Sequence, residues 1–397
     1  MIFNRNKLST AIAICLPACL LSNAVIAGYS DEVANNGGSK SAVEFAQYAE
    51  TVTNTELQTL LSSVSGDSAV ELANDMLADS NGAALNASLQ NALLMQDVLL
   101  TRATTMRRQD SLGTFNFGWN TWATAIGSYV EGDSGYDISG YETTTYGVMF
   151  GADKYVIADR AFIGYALGYA NNTSDADDNL SEVTSDNYQF LSYAGWAQDS
   201  RFLDVIFNIG TNKVDSSRTI RADNNADVVA NYDQFNMGYR VNAGQTFEAL
   251  GVSVEPTIGY EAQWISQEDY EETGSVAALR FDRETYHIQY ANIGLALSKV
   301  IELESMVLTP HLKITYASDL NGGERVHDSF QLAVDSPSNK ANFYDKTGAI
   351  VGGDKLQVQG SLSAEITESV TLDSTISFVD AEEYQQMNLF VSAVKRF

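Results

Sequence analysis

Two hydrophobic periods divide the chain near residue 115. Before it, apolar residues recur at three- and four-residue spacings, as the buried face of a helix requires. Ser41–Val52, Asn54–Val64 and Ser68–Ala78 are predicted helices separated by polar or Gly-containing breaks. A longer helix is expected from about Ala83 to Gln109, with Leu85, Leu89, Leu93, Val98, Leu99, Ala103 and Met106 among its apolar positions. Its 27 residues would reach roughly 40 Å, enough to cross an outer membrane.

From Phe115 onward the period is 2. In Val252–Trp264, Val252, Val254, Pro256, Ile258, Tyr260, Ala262 and Trp264 share one face, and Ser253, Glu255, Thr257, Gly259, Glu261 and Gln263 the other. One face suits lipid and the other water. The division recurs in Phe235, Met237, Tyr239, Val241 and in Leu356, Val358, Leu362, Ile366. A soluble sandwich has the same period, so the connections decide. Strands are predicted near 119–130, 141–153, 161–170, 187–197, 202–214, 232–245, 252–266, 284–299, 306–317, 354–366, 370–378 and 384–397. The links after even strands are short: Lys154–Arg160, Gln198–Arg201, Thr246–Gly251, Val300–Ser305 and Thr367–Ser369. Most links after odd strands are long and acidic, including Asn171–Asp186, Asp215–Asn231, Gln267–Arg283 and Ser318–Gly353. Short turns at one end and long loops at the other mark an outer-membrane barrel, and an even number of strands returns the C-terminus to the short-turn side. The stretch 284–299 changes phase near Ala291, as a bulge would cause. The predicted fold is therefore all-β: a 12-stranded antiparallel transmembrane β-barrel preceded by an α-helical segment.

Composition changes the picture at three points. The first 27 residues have a basic start (Arg5, Lys7), an apolar stretch Ala11–Leu21 and the small-residue site Val25-Ile26-Ala27, so a secretory signal is expected to be cut between Ala27 and Gly28. A competing reading takes Leu16-Pro17-Ala18-Cys19 as a lipoprotein box, which Pro17 fits poorly. Cys15 and Cys19 both fall in this segment, so the exported chain has no thiol for a disulfide or a metal. With 51 acidic against 23 basic residues, the net charge of −28 argues against a nucleic-acid partner. No later window offers the roughly 18 uncharged apolar residues that a membrane helix needs. The domains expected are 1–27, signal peptide; 28–114, helical; and 115–397, barrel.

Candidate chemistry is sparse. His287, His311 and His327 are the only histidines, and the chain has neither a Gly-x-Ser-x-Gly nor a His-Glu-x-x-His sequence. No enzyme, cofactor or metal is expected. The acidic sets Asp175, Asp177, Asp178, Glu182 and Glu268, Asp269, Glu271, Glu272 would face outside, where cations bridging lipopolysaccharide are one reading and simple solubility the other. In the last strand, Met387, Leu389, Val391, Ala393 and Phe397 share one face. Leu389, Val391 and the terminal Phe397 resemble the signal that the bacterial barrel assembly machinery recognises.

Residues 119–397 resemble the translocator β-domain of autotransporters, the type V secretion proteins. The resemblance rests on Trp122 opening the first strand, Thr145-Tyr146-Gly147 followed by Gly151-Ala152-Asp153, and Ile163-Gly164-Tyr165-Ala166-Leu167-Gly168-Tyr169. It continues in Leu308-Thr309-Pro310-His311 and the closing Lys395-Arg396-Phe397. The run Leu85–Gln109 sits where that family places the helix that threads the barrel. The resemblance implies a twelve-stranded pore with the last helix inside it, entering strand one from the periplasm and emerging outside the cell. Small inward residues Gly164, Ala166, Gly168, Gly238 and Gly259 would leave room for the helix. Asp204, Arg240, Glu255, Glu261, Lys313, Glu365 and Arg396 would line the pore, since a charge on the lipid face costs about 2–4 kcal/mol at midplane.

The departure from the family is the passenger: only 55 residues separate Gly28 from the long helix. Some members cut themselves in the pore helix beside an Asn; Asn86, Asn91 and Asn35-Asn36 are candidates, none in a recognisable cleavage motif. The function implied is an outer-membrane barrel that translocates or displays its own helical segment. The alternative is a helix-plugged channel or adhesin with Ser318–Gly353 as contact surface. Partners implied are outer-membrane lipid and lipopolysaccharide and the barrel assembly and secretion machinery, with the chain monomeric.

Overall fold

A strand with one apolar and one polar row can satisfy its backbone in lipid only if its sheet has no open edge. The computed structural model, which describes residues 28–77, 82–111, 118–134, 139–157, 160–178, 180–321, 324–335 and 344–397, meets that condition by closure. The expected signal segment, with Ala27, Cys15 and Cys19, lies outside the described residues. Among those residues twelve long strands form the wall: β1 (Asn120–Gly132), β2 (Tyr141–Ile157), β3 (Ala161–Ala176), β4 (Ser181–Gln198), β5 (Arg201–Ile220) and β6 (Ala226–Gln245), then β7 (Val252–Gln267), β8 (Glu284–Ser298), β9 (Val307–Asp319), β10 (Lys355–Thr367), β11 (Val370–Ala381) and β12 (Tyr384–Arg396). Each pairs antiparallel with its neighbour in sequence, and β12 pairs with β1 from Asn120↔Arg396 to Gly132↔Tyr384, which closes the barrel. The outer face carries an apolar belt in which Tyr146, Phe150, Leu167, Ile258 and Ile293 are 60–70% exposed.

Three expectations need correction. The connections Asn171–Asp186 and Asp215–Asn231 are mostly strand: β3 and β4 stay paired to Asp175↔Glu182, and β5 and β6 to Ile220↔Ala226. The 20 residues of β5 span about 66 Å, far more than an apolar band about 25 Å tall can cover even with tilt. The excess projects at the long-connection end. That extension stands clear of the lipid-facing belt and buries only a few apolar residues, such as Ile220 and Val228, so backbone pairing continues where regular side-chain alternation has stopped. Gln267–Arg283 and Ser318–Gly353 likewise hold strands, Tyr270–Glu271, Leu279–Phe281, Glu324–Leu332 and Tyr344–Val351, which pair into a separate four-stranded sheet. The third correction is at Ala291. Register from Glu284↔Gln267 to Ser298↔Ser253 is unbroken, so no bulge exists there. Even-numbered residues of β8 face inward throughout; Tyr286, Ile288 and Tyr290 are apolar because they meet Leu85, Leu89 and Leu93 of the central helix.

Four short helices precede that helix: α1 (Tyr29–Asn35), α2 (Lys40–Thr51), α3 (Thr55–Ser63) and α4 (Asp67–Met76). The Ser39 hydroxyl caps α2 by accepting from the Ala42 N–H at 3.1 Å, and Asn54 caps α3 by accepting from Glu56 and Leu57 at 3.0 Å each. The extra helix α1 is held by burial of Tyr29 and Val33 and by the Ser30 N–H donating to Glu50 at 2.7 Å. Phe45, Leu57, Leu72 and Met76 share one core with Ile220 and Val228 from the projecting β5–β6 hairpin and with Phe281, Phe330 and Leu332 from the four-stranded sheet. The helices thus form a cap on the long-connection end. Arg218 fixes the join: it donates to Glu272 at 2.8 and 2.6 Å and to the Asp75 carbonyl, while Arg221 pairs with the Asp75 carboxylate at 2.7 Å.

Tyr48 sets a pH limit for the cap. Burial pushes its phenol up to about 12 from 10.0, while the Leu332 N–H that it accepts at 3.0 Å pulls the other way. The folded cap therefore holds this proton where the unfolded chain has lost it, so the contribution is full below pH 10 and falls as pH rises towards 12. Cap unfolding monitored by near-UV circular dichroism is expected to be flat in this respect from pH 7 to 9 and to shift to lower temperature above 10. In a Tyr48→Phe chain that alkaline shift should shrink.

Candidate functional site: the helix-filled lumen

Helix α5 (Ala83–Ser111) runs down the barrel from the cap to the short-turn end, where the chain enters β1. A helix in a ring of polar side chains must pair whatever charge it carries. Arg102 donates to the Asp153 carboxylate at 2.7 and 2.9 Å; Asp153 also accepts from Asn120 at 2.9 Å and from the Tyr193 hydroxyl at 2.6 Å. Trp122 in turn donates its indole N–H to Tyr193 at 3.1 Å. Asp153 is 0% and Arg102 5% exposed, so this is a fully enclosed charge pair. Higher up, Asp97 accepts from Arg240 at 2.6 Å and from Gln357 at 2.9 Å, and Arg240 and Lys355 flank Glu261 at 3.3 and 3.2 Å. Arg107 pairs with Asp204 and lies over the Phe202 ring at 3.9 Å. Amides complete the seam: Gln96 donates to Asn208 at 2.7 Å and Asn91 to Asn172 at 3.0 Å.

The seven pore-lining candidates divide by what they touch. Asp204, Arg240 and Glu261 join the helix network above. Glu365 and Arg396 pair with each other at 3.6 Å near the short-turn end, where Arg396 also donates to Thr371 at 2.8 Å. Glu255 is buried beside Thr246, and Lys313 borders a gap beside the helix. The helix residues Asp97, Arg102 and Arg107, the Asp153 that accepts from Arg102, and the strand residues Tyr193 and Lys355, which bond Asp153 and Glu261, were not predicted. Their signal was present: Asp97 and Arg102 each interrupt an apolar run, Leu93-Leu94-Met95 and Val98-Leu99-Leu100 lying beside them, and Arg107 follows Met106. Of the small residues, Gly168 makes room for the helix, since a Cβ there would lie 2.5 Å from the Met95 sulfur. Gly164 and Gly238 instead make room for Tyr193 and Gln263 on neighbouring strands.

Asn86 donates to the Tyr141 hydroxyl and Asn91 to an amide, so neither described bond is to a carboxylate; Asn36 is bonded to the Glu32 carbonyl in the cap. His287 stacks on Trp264 at 4.5 Å on the outer face, His311 borders the lumen gap, and the His327 side chain lies outside the described residues. In the acidic sets, Glu272 and Glu271 pair with Arg218 and Arg280, and Asp178 accepts from Ser139 and the Leu180 N–H at 2.9 Å each. Leu389, Val391 and Phe397 lie on the outer face, 50–67% exposed.

The sequence profile of the autotransporter beta-domain matches residues 121–376, more than half of the chain. The chain belongs to the autotransporter β-domain family. An extracellular serine protease of Serratia marcescens is 26% identical over 198 residues, which cover 47% of this chain and 18% of that protein. The chain thus spans less than a fifth of the length of the curated relative it matches. The translocator domain of autotransporter NalP from Neisseria meningitidis superposes with a TM-score of 0.59 at 16% identity, covering 78% of this chain and 98% of that one. The β-domain of the Bordetella autotransporter BrkA gives a TM-score of 0.53 at 13% identity, covering 70% and 100%. These likenesses establish the fold, and family membership places this autotransporter β-domain in the outer membrane of a Gram-negative cell.

Proposed function

We propose that this β-domain carries its own N-terminal segment through the lumen and keeps it at the cell surface as a folded cap. The observation that carries this reading is the course of α5, which links a cap at the long-connection end to a β1 that starts at the short-turn end. Short turns of outer-membrane barrels face the periplasm. A chain made inside the cell has then crossed the pore to put α1–α4 where they are. Export by a signal peptide cut after Ala27, insertion by the barrel assembly machinery through Leu389, Val391 and Phe397, contact with outer-membrane lipid and lipopolysaccharide, and a monomeric state belong to the same proposal. Proteolysis is a property of the Serratia relative and is not proposed for this chain. The adhesin alternative loses support because Phe330 and Leu332, from the connection that would make contact, are 0% exposed in the cap core.

Single cysteines test the orientation. The Lys40 side chain is 88% exposed on the cap, and Leu250 projects from a short turn. Lys40→Cys is expected to react with a membrane-impermeant maleimide on intact cells, and Leu250→Cys only after the outer membrane is opened. The reverse order would place the cap in the periplasm and end this reading.

A further inference from the structure

Leu250 breaks two rules at once. It is fully exposed at the tip of the β6–β7 turn, and its φ is +56°. Among the described residues the other non-glycine residues at positive φ are Asp199, Asn224 and Asn225, whose short polar side chains suit that conformation. Leu250 and Gly251 join Ala249 to Val252 in a two-residue loop with both φ values positive, a turn that favours Asn-Gly. A bulky aliphatic side chain there is strained, and with its surface exposed it gains no packing in return. Observed strain of this kind is a pointer to function.

The residues around it extend the pattern. Phe247–Ala249 pairs with Val252–Val254, and Ser298↔Ser253 brings the end of β8 beside this hairpin, so the β6–β7 turn lies next to the β8–β9 turn. In that second turn Val300, Ile301 and Leu303 are exposed. Cross-strand partners share a face. Phe247, opposite Val254, therefore continues the outward row of Ile258, and Ile301, opposite Leu308, continues that of Leu312 and Ile314. The carboxylates take the other face: Glu248 lies opposite Ser253, whose hydroxyl it accepts, and Glu302 lies opposite Val307. The β4–β5 and β10–β11 turns instead carry the polar pairs Asp199-Ser200 and Glu368-Ser369 at their tips.

The outward row is also longer here than the membrane requires. An apolar band about 25 Å tall takes about 33 Å of strand at a tilt near 40°. On β12 the row from Met387 to Phe397 is about 34 Å long, whereas on β7 the row from Val252 to Trp264 is about 41 Å. Trp264, stacked on His287, marks the interface at the long-connection end. The surplus therefore falls at the short-turn end, with Phe247 and Leu250 beyond it.

We infer that the β6–β7 and β8–β9 turns form an apolar foot that seats in the headgroup layer of the inner, phospholipid leaflet of the outer membrane. This deepens the lipid contact proposed above, and the choice of leaflet rests on the orientation proposed there. Continuity favours lipid over a periplasmic protein: the apolar residues of both turns prolong the lipid-facing rows, and Glu248 and Glu302 turn away from them. The headgroup layer is hydrated, so a water-soluble reagent still reaches residue 250. The taller face is met by local thickening of the bilayer or by tilt of the barrel.

The test uses the exported chain from Gly28, which has no cysteine of its own, reconstituted in phosphatidylcholine vesicles. Leu250→Cys and Asp199→Cys, both at positive φ in short turns, carry the same small fluorophore. Quenching is read from a phospholipid with a nitroxide high on its acyl chain. Quenching at 250 is expected to be severalfold stronger than at 199, and to fall to the level of 199 when Phe247→Ser and Leu303→Ser are added. Gel mobility of unheated samples confirms that each variant is a closed barrel. Equal quenching at the two positions would overturn the foot and leave the patch to a periplasmic protein. Strong quenching that persists without Phe247 and Leu303 would assign the contact to the fluorophore and overturn it equally. The two leaflets of these vesicles are identical, so the result is independent of which way the barrel faces. A reversed orientation on intact cells changes the leaflet and not the contact.

Discussion

Asp153→Ala is expected to destabilise the barrel by about 3–5 kcal/mol, because it strands the Arg102 guanidinium in an enclosed lumen. Burial of an ion costs several kcal/mol, and Asp153 offsets that cost with two bonds to Arg102 while organising Asn120 and Tyr193 around itself. Removing the carboxylate leaves four donor groups, two on Arg102 and one each on Asn120 and Tyr193, without this acceptor. Removing both charges is different. Arg102→Met with Asp153→Leu fills the space with matched apolar groups, and such replacements are often neutral or better. Urea unfolding in detergent, with the four chains of the double-mutant cycle, checks this. The double variant should recover most of what Asp153→Ala loses; if Asp153→Ala alone is silent, water from the neighbouring gap solvates Arg102 and the pair does not hold the helix.

Phe45→Ala is expected to open the cap while leaving the barrel intact. Phe45 is 0% exposed and its ring meets Tyr48 at 5.4 Å and Phe330 at 5.7 Å, so it joins the N-terminal helices to the four-stranded sheet. Truncation of a buried Phe costs about 3–5 kcal/mol, a large share of what a layer of four short helices can muster. Limited proteolysis of the reconstituted protein should release fragments from residues 28–77 at a protease level that leaves the parent uncut. The unheated gel shift of the barrel should be unchanged. Loss of both together would mean that cap and barrel unfold as one unit.

The wall of the barrel was legible because lipid imposes one rule on every residue of its outer face. Wherever that rule acts, as in Val252–Trp264, period 2 locates the strand to within a residue or two. It was lost where the rule stops. Ser216 and Ser217 belong to β5 but stand above the apolar belt, where polar residues suit both faces, so they read as loop. The supposed phase change at Ala291 failed for the opposite reason. Tyr286, Ile288 and Tyr290 face a leucine row of α5, and an inward apolar residue looks outward to any scheme that equates the inside with water. In the lumen, the strand charges Asp204 and Arg240 were found from their side of the sheet, whereas their helix partners Arg107 and Asp97 were not. Asp153 was visible within Gly151-Ala152-Asp153, but its partner Arg102 lies 51 residues away. No local pattern reports a pairing over that distance.

The shared core of the cap fixes an order of events. Phe45 and Leu57 come early in the chain, yet the surface that completes their burial is built by Phe281, Phe330 and Leu332, from connections between β7 and β10. The burial of the four helices is therefore complete only once those late connections are in place. Contacts so distant in sequence form late, after the entropy of closing the intervening loops has been met. On the reading proposed above, collapse of the cap cannot draw the N-terminal segment outward during its passage. It would act afterwards as a latch, making return of α1–α4 into the pore cost the core that the last hairpins complete.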